Sequence, residues 1–301
     1  MSSPISTYHL SKAFRRTEAV RGLDLDVPEG SIYALIGPNG AGKTTTIKLL
    51  MNILRASSGS AKVLGVDSRR LSPREFARIG YVSENQEMPE WMTVDYFLGY
   101  LKPFYPTWDD ALADDLVRQF ELPRGRQLRH LSRGMKMKAA LASSLAYRPE
   151  LVLLDEPFTG LDALVRDEFT KSLLERAEGT TILIASHDLA EIESFASHLG
   201  YIEEGRLRFT EEMGTLARRF RQVEVTFDGA PPVLPLWPGG WMQPETSAAV
   251  LRFIDSRFDT ERTSAEIRSL FPTARNVDFH PMSLREIFVA LAMAGRRANA
   301  A

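Results

Sequence analysis

The segment Gly37-Pro-Asn-Gly-Ala-Gly-Lys43-Thr44 constrains this chain more than any other feature. It matches G-x-x-x-x-G-K-[S/T] at every fixed position. A short apolar run, Ile32 to Ile36, precedes it, and a helical pattern follows in which Ile47, Leu50 and Leu54 share one face. A strand, a glycine-rich turn and a helix together wrap backbone N–H groups around phosphate oxygens. Glycine permits the close approach, and the helix N-terminus adds partial positive charge. Lys43 would bring a full charge to the β- and γ-phosphates of ATP, and Thr44 a hydroxyl to Mg²⁺. The expected nucleotide-binding set is Gly37, Pro38, Asn39, Gly40, Ala41, Gly42, Lys43, Thr44 and Thr45.

Leu151-Val-Leu-Leu-Asp155-Glu156 ends a second apolar strand on two carboxylates. Strand ends of this kind border the crevice where α/β proteins hold ligands. Asp155 would hold Mg²⁺ through water, and Glu156 would orient or deprotonate the water that attacks the γ-phosphate. Two acids ending a strand can also be plain solvated caps; the phosphate loop tips the reading towards chemistry. Ile79 to Val82 and Thr181 to Ala185 are two more strand patterns among helical ones. The alternation predicts an α/β fold with a mostly parallel sheet covered on both faces.

From Met92 to about Tyr147 the pattern is helical, with Val94, Phe97, Leu98 and Leu101 on one stripe and breaks at Pro103, Pro106 and Pro123. Leu23, Leu25 and Val27 alternate like a strand. After about Arg219 the character changes. Val223 to Phe227, Val250 to Ile254 and Val277 to Phe279 read as strands, Gly229 to Gly240 as a long loop, and Ser283 to Ala292 as a helix with Ser283 as its N-cap.

Composition removes some alternatives. The 301 residues carry a net charge of -2, so there is no basic excess to suggest a nucleic-acid partner. With 0 cysteines, disulfide and thiolate chemistry are excluded. The N-terminus shows no signal peptide, and no apolar stretch approaches the ~18–20 residues that span a bilayer.

Taken in order, these motifs resemble the nucleotide-binding subunits of ABC transporters over residues about 5 to 218. Leu131-Ser132-Arg133-Gly134-Met135 is similar to the family's LSGGQ signature, Leu151 to Glu156 to its Walker B strand, and Gly160-Leu161-Asp162 to its D-loop. His187, after Ser186, resembles the switch histidine, and Phe14 sits where the family stacks an aromatic ring on adenine. Taken alone, Ser132 would be an ordinary helix cap, His187 a strand-end histidine and Phe14 a core residue. The resemblance implies a P-loop NTPase core (residues 1–218) with an antiparallel β subdomain and an inserted helical subdomain (about 88–147). A small α+β appendage (219–301) would follow.

The resemblance further implies that Ser132 and Gly134 complete the ATP site of a second subunit. The working unit would then be a head-to-tail dimer holding two ATP, paired with an integral-membrane subunit at the cytoplasmic face of the membrane. Two features depart from the family's pattern. Arg133 and Met135 replace a glycine and a glutamine of the signature, so Arg133 must point away from the phosphate or add charge there. Glu84 stands where the Q-loop glutamine is usual, with Gln86 two residues later, and would contact Mg²⁺ or water. Together with the closing segment Pro281 to Phe288, these features resemble the branch that serves ABC-2 type exporters. Two other readings are a soluble ABC-type ATPase acting on ribosomes or DNA, and a nucleotide-sensing module. The single cassette disfavours the first, and an intact Glu156 and His187 the second.

Overall fold

The computed structural model describes residues 3–15, 17–175, 179–232, 234 and 237–300. The first compact unit ends at Thr210 and the second begins at Glu211.

In chain order the first unit runs β1 (Ile5–Phe14), β2 (Thr17–Leu23), β3 (Asp26–Val27), β4 (Ile32–Ile36), α1 (Lys43–Leu50), β5 (Ser58–Val63), β6 (Val66–Asp67), α2 (Pro73–Phe76) and β7 (Ile79–Ser83). It continues with α3 (Val94–Leu101), α4 (Asp110–Gln119), α5 (Arg133–Leu145), β8 (Leu151–Asp155), α6 (Ala163–Glu175), β9 (Thr181–Ser186), β10 (His198–Glu203) and β11 (Arg206–Glu212), whose last two residues belong to the second unit. Two sheets result, one in the order β2-β1-β5-β6 with β3 beside β1, the other β11-β10-β4-β9-β8-β7. The strands β10, β4, β9, β8 and β7 are mutually parallel. Every residue of β4, β8 and β9 is buried, as expected of parallel strands covered on both faces.

The register of this sheet is what builds the site. Ser83 pairs with Asp155, Asp155 with Ala185, and Ser186 with Ile36, so four strands end in one row. The backbone keeps the row for one residue more. Glu84 N–H donates to Asp155 O (3.0 Å), Glu156 N–H to Ala185 O (2.9 Å) and Gly37 N–H to Ser186 O (3.4 Å). Glu84, Glu156, His187 and Gly37 therefore leave the same sheet edge side by side, though up to 150 residues separate them along the chain.

Two local patterns differ from the sequence reading. Leu23, Leu25 and Val27 are all buried, but the strand breaks between β2 and β3. The Thr7 hydroxyl is the cause: it donates to Leu23 O (2.7 Å) and accepts from Leu25 N–H (2.8 Å), replacing ladder bonds. The helix after the phosphate loop stops at Leu50, because Asn52 takes a left-handed φ of 55° and Leu54 N–H turns back to Lys48 O (3.0 Å). Leu54 still packs on the core, from a turn and not from the helix.

The helices between β7 and β8 start on side-chain caps: Thr93 for α3, Asp109 for α4 and Ser132 for α5. Ser144 Oγ donates to Tyr81 O (3.1 Å) and Tyr147 Oη to Ile79 O (2.8 Å), tying the end of α5 to β7.

The second unit contains α7 (Met213–Arg219), β12 (Arg221–Phe227), β13 (Trp241–Ser247), β14 (Val250–Asp255), α8 (Thr260–Leu270), β15 (Ala274–Pro281) and α9 (Leu284–Ala300). Its antiparallel sheet has the order β13-β14-β12-β15. Val223, Val225, Trp241, Phe253, Ile267 and Phe271 form its own core. Helix α7 falls in this unit, so the division precedes the expected one after residue 218. Arg219 pairs with Glu211 and donates to Ser256 O (3.3 Å), which ties that helix to this unit's sheet. Ser283 caps α9, with the Glu286 carboxylate accepting from Ser283 N–H (2.7 Å), and the helix continues past the expected Ala292.

Candidate nucleotide site

Two close approaches shape the loop from Gly37 to Thr44. A Cβ on Gly37 would collide with the carbonyl oxygen of Ile202, and one on Gly42 with that of Ala19. Gly42 also sits at φ 108°, a conformation that favours glycine, and forms the N-cap of α1. Pro38, Asn39 and Gly40 are exposed, while Gly37, Ala41, Gly42 and Lys43 are buried; Thr44 and Thr45 are half-buried in the first turn of α1.

The Lys43 side chain is only 5% exposed and curls back under the loop. Its Nζ donates to Gly37 O (2.7 Å) and Pro38 O (3.2 Å) and lies 3.2 Å from Glu156 Oε1. The other Glu156 oxygen, Oε2, lies 2.7 Å from His187 Nδ1. Thr44 Oγ1 donates to Asp155 Oδ1 (2.8 Å). The structure thus joins Lys43, Glu156 and His187 in one line, with Thr44 and Asp155 in contact beside it. Glu156 reaches this position from a left-handed φ of 52°, which breaks the strand after Asp155 and turns the carboxylate along the edge.

Burial holds the Asp155 carboxyl above its ordinary range, Thr44's hydrogen bond opposes that, and the neighbouring Glu156 charge adds to it. A raised carboxyl pKa means that the folded protein holds the proton more readily than the unfolded chain. The charged form therefore costs stability, in full above the raised value and not at all below the unfolded carboxylate range near 3.8. Asp155→Asn should accordingly raise the melting temperature at pH 7 by roughly a few degrees. The gain should vanish below about pH 4. Thermal unfolding of both proteins across that range checks it, and a destabilised Asp155→Asn at pH 7 would contradict the burial argument.

Among the described residues no group of three or more His, Asp or Glu side chains could hold a metal ion by itself. Thr44 and Asp155 nevertheless suit Mg²⁺, which takes one or two protein oxygens and fills its other positions with phosphate and water. Glu84, the third expected ligand, directs its carboxylate to the Arg133 guanidinium. Gln86 turns its side-chain oxygen back to Ser83 N–H (3.4 Å).

The signature residues lie at the start of α5. Ser132 is exposed and its hydroxyl accepts from Met135 N–H (3.2 Å); Gly134 packs near Val165. Asp162 is exposed and caps α6 through Val165 N–H (2.9 Å). Phe14, at the end of β1, is 43% exposed, with Lys12 Nζ over its ring at 4.9 Å.

The sequence reading missed Glu191, a buried carboxylate that accepts from Ser186 Oγ (2.9 Å) and pairs with Arg166 (3.4 Å). It braces the strand end that carries His187. The signal was present: Asp188 followed three residues later by Glu191 is a helix-start pattern, and Asp188 does cap a short 3₁₀ turn.

Comparison with known proteins gives the family. A model of the ABC transporter family matches residues 20–159. The ABC transporter ATP-binding protein YtrB of Bacillus subtilis is 31% identical over 226 residues, covering 74% of this chain and 77% of that protein. The daunorubicin/doxorubicin resistance ATP-binding protein DrrA of Streptomyces peucetius is 35% identical over 213 residues, 67% of this chain and 63% of its own. A solved structure described as the ATP binding subunit of an ABC transporter superimposes with a TM-score of 0.66 at 26% identity, over 72% of this chain and 92% of that one. This chain belongs to the ATP-binding subunits of the ABC transporter family, and its site is that of an ATPase.

Proposed function

We propose that the chain powers an ABC-2 type exporter by hydrolysing Mg-ATP. The observation that carries this reading is the line from Lys43 Nζ through both Glu156 oxygens to His187 Nδ1, at 3.2 and 2.7 Å. The β- and γ-phosphates of ATP carry more negative charge than Glu156 and would draw Lys43 to themselves. Glu156, still fixed by His187, is then free to accept the proton of a water directed at the γ-phosphorus. Thr44 and Asp155 would hold Mg²⁺, which supplies charge neutralisation at the phosphate oxygens. Phe14, 43% exposed, would stack on adenine with its ring face opposite Lys12.

Ser132, Gly134 and Asp162 would serve the ATP of a second subunit in a head-to-tail pair. Ser132 and Asp162 are exposed, and the helix start at Ser132 presents N–H groups suited to a phosphate. The export role draws support from the drug-resistance name of the Streptomyces relative. No helix among the described residues is long and apolar enough to cross a membrane. The spanning path would therefore come from another chain, with this one peripheral on the cytoplasmic face. The net charge of -2 gives no support for a nucleic-acid partner.

The aromatic cluster after β7 is the surface suited to that membrane partner. Trp91 is 62% exposed and packs at a tilt against Tyr96 (5.5 Å between ring centres); Tyr100 and Phe104 are also exposed. Tyr100 also lines a cavity of about 460 Å³ that includes Tyr81, Phe97 and Tyr147 in its walls. Phe97 is buried, and Tyr105 stacks on Tyr147 at 3.8 Å, so both of these rings serve packing. Trp91→Ala should therefore weaken transport by the reconstituted complex about tenfold, the usual cost of losing an exposed aromatic anchor. The basal ATPase of the isolated chain should fall less than about twofold. Equal losses in both assays would assign Trp91 to packing.

A further inference from the structure

Two of the residues that depart from the family's pattern, Glu84 and Arg133, contact each other although 49 residues separate them. Arg133 Nη2 donates to Glu84 Oε1. The same guanidinium lies flat on Gly160: a Cβ there would come 2.9 Å from Nη1, 3.1 Å from Cζ and 3.2 Å from Nε. Gly160 sits at φ 71°, a backbone turn that favours glycine, and the guanidinium takes up the space a side chain would fill. One side chain thus spans three segments: the loop after β7, the first turn of α5 and the loop before α6.

We propose that Arg133 is a positioning residue that neutralises and aims Glu84, so that a carboxylate can occupy the Q-loop position beside a triphosphate. Glu84 N–H donates to Asp155 O, and Asp155 accepts from Thr44, so a single residue, Asp155, bridges Glu84 to the phosphate loop. A bare carboxylate there would repel the nucleotide. The Arg133 charge cancels it and holds the side chain to one side. The pair contributes little to folding, because Arg133 is half exposed and ion pairs of that kind are weak in water. Its effect belongs in nucleotide affinity. The guanidinium also links Glu84, beside the chain's own ATP site, to Gly160, and Arg133 follows Ser132, which is offered to the partner's ATP. This inference rests on the proposed Mg-ATP site.

The test is a double-mutant cycle on the full chain, using KM for Mg-ATP and the dissociation constant of a fluorescent ATP analogue. Arg133→Gly in the wild-type background should raise both by about fivefold or more, with kcat changed less, and Arg133→Lys should recover most of the loss. In a Glu84→Gln background the same Arg133→Gly substitution should change them by less than about twofold. Melting temperatures of the set should agree within about 2 °C. An equal effect of Arg133→Gly in both backgrounds, or no effect in the wild type, overturns the proposal. Turnover and analogue binding by the unmodified chain test the parent reading separately: a wild-type protein that binds Mg-ATP while the cycle shows no coupling refutes the pairing alone.

Discussion

Glu156→Gln is expected to lower kcat for ATP by about 10²–10⁴-fold while leaving ATP affinity intact or improved. The substitution preserves shape and removes one capacity. An amide cannot take a proton from water, but it can still meet His187 Nδ1, which lies 2.7 Å from Oε2. The Lys43–Glu156 pair, at 3.2 Å, loses its charge attraction. Lys43 then has one competitor fewer and is available to the β- and γ-phosphates from the start. Binding without turnover should let ATP accumulate between two subunits. Size-exclusion chromatography with Mg-ATP should show a dimer for Glu156→Gln and a monomer in its absence. Retention of more than about a tenth of wild-type turnover would remove Glu156 from the base role. A variant that binds ATP and stays monomeric would count against the head-to-tail pair.

The parts of this site that lie along the chain were legible before the fold was known, and the parts that lie across it were not. Gly37 to Thr44 carries its own context, a buried strand before and a helix after, so residue type and spacing sufficed. Asp155 and Glu156 follow four apolar residues that could only be a buried strand. What spacing could not supply was the sheet register that sets Ser83, Asp155, Ser186 and Ile36 in one row, because strand order is decided by packing across the whole sheet. The same holds for Glu84. The sequence places it one residue beyond the strand before it, but its partner Arg133 comes from a helix start and was read only as a departure from the signature. Periodicity also ran past two true ends. The apolar pattern through Leu54 describes burial, and Leu54 is packed on the core, yet the left-handed Asn52 ends the helix before it. Leu23, Leu25 and Val27 alternate as a strand should, and it took the Thr7 hydroxyl to break them apart.

Lys43→Ala is expected to raise the dissociation constant for Mg-ATP by about 10²-fold or more and to abolish turnover with it. The size follows from burial. Lys43 is 5% exposed, so its charge acts where water screens it poorly, and a charge-assisted bond to each of two phosphates is lost at once. A 10²-fold loss is about 2.7 kcal/mol, close to the lower end of the ~3–6 kcal/mol expected for two such bonds, so it is the floor of the effect. The apo protein should suffer too. Gly37 O and Pro38 O lose their donor, and Glu156, 13% exposed, keeps only His187 at 2.7 Å and the more distant Thr159 hydroxyl at 3.5 Å. The two variants therefore separate binding from chemistry. Glu156→Gln should bind ATP and fail to turn it over, whereas Lys43→Ala should fail at binding and melt lower than the wild type. Lys43→Arg should not rescue, because a planar guanidinium needs more room than the buried space under the loop offers and cannot repeat the two carbonyl contacts with one nitrogen. Titration with a fluorescent ATP analogue, alongside thermal unfolding, measures both effects. An affinity within about threefold of wild type would place the phosphate contact elsewhere in the loop and reduce Lys43 to a structural brace for Gly37 and Pro38.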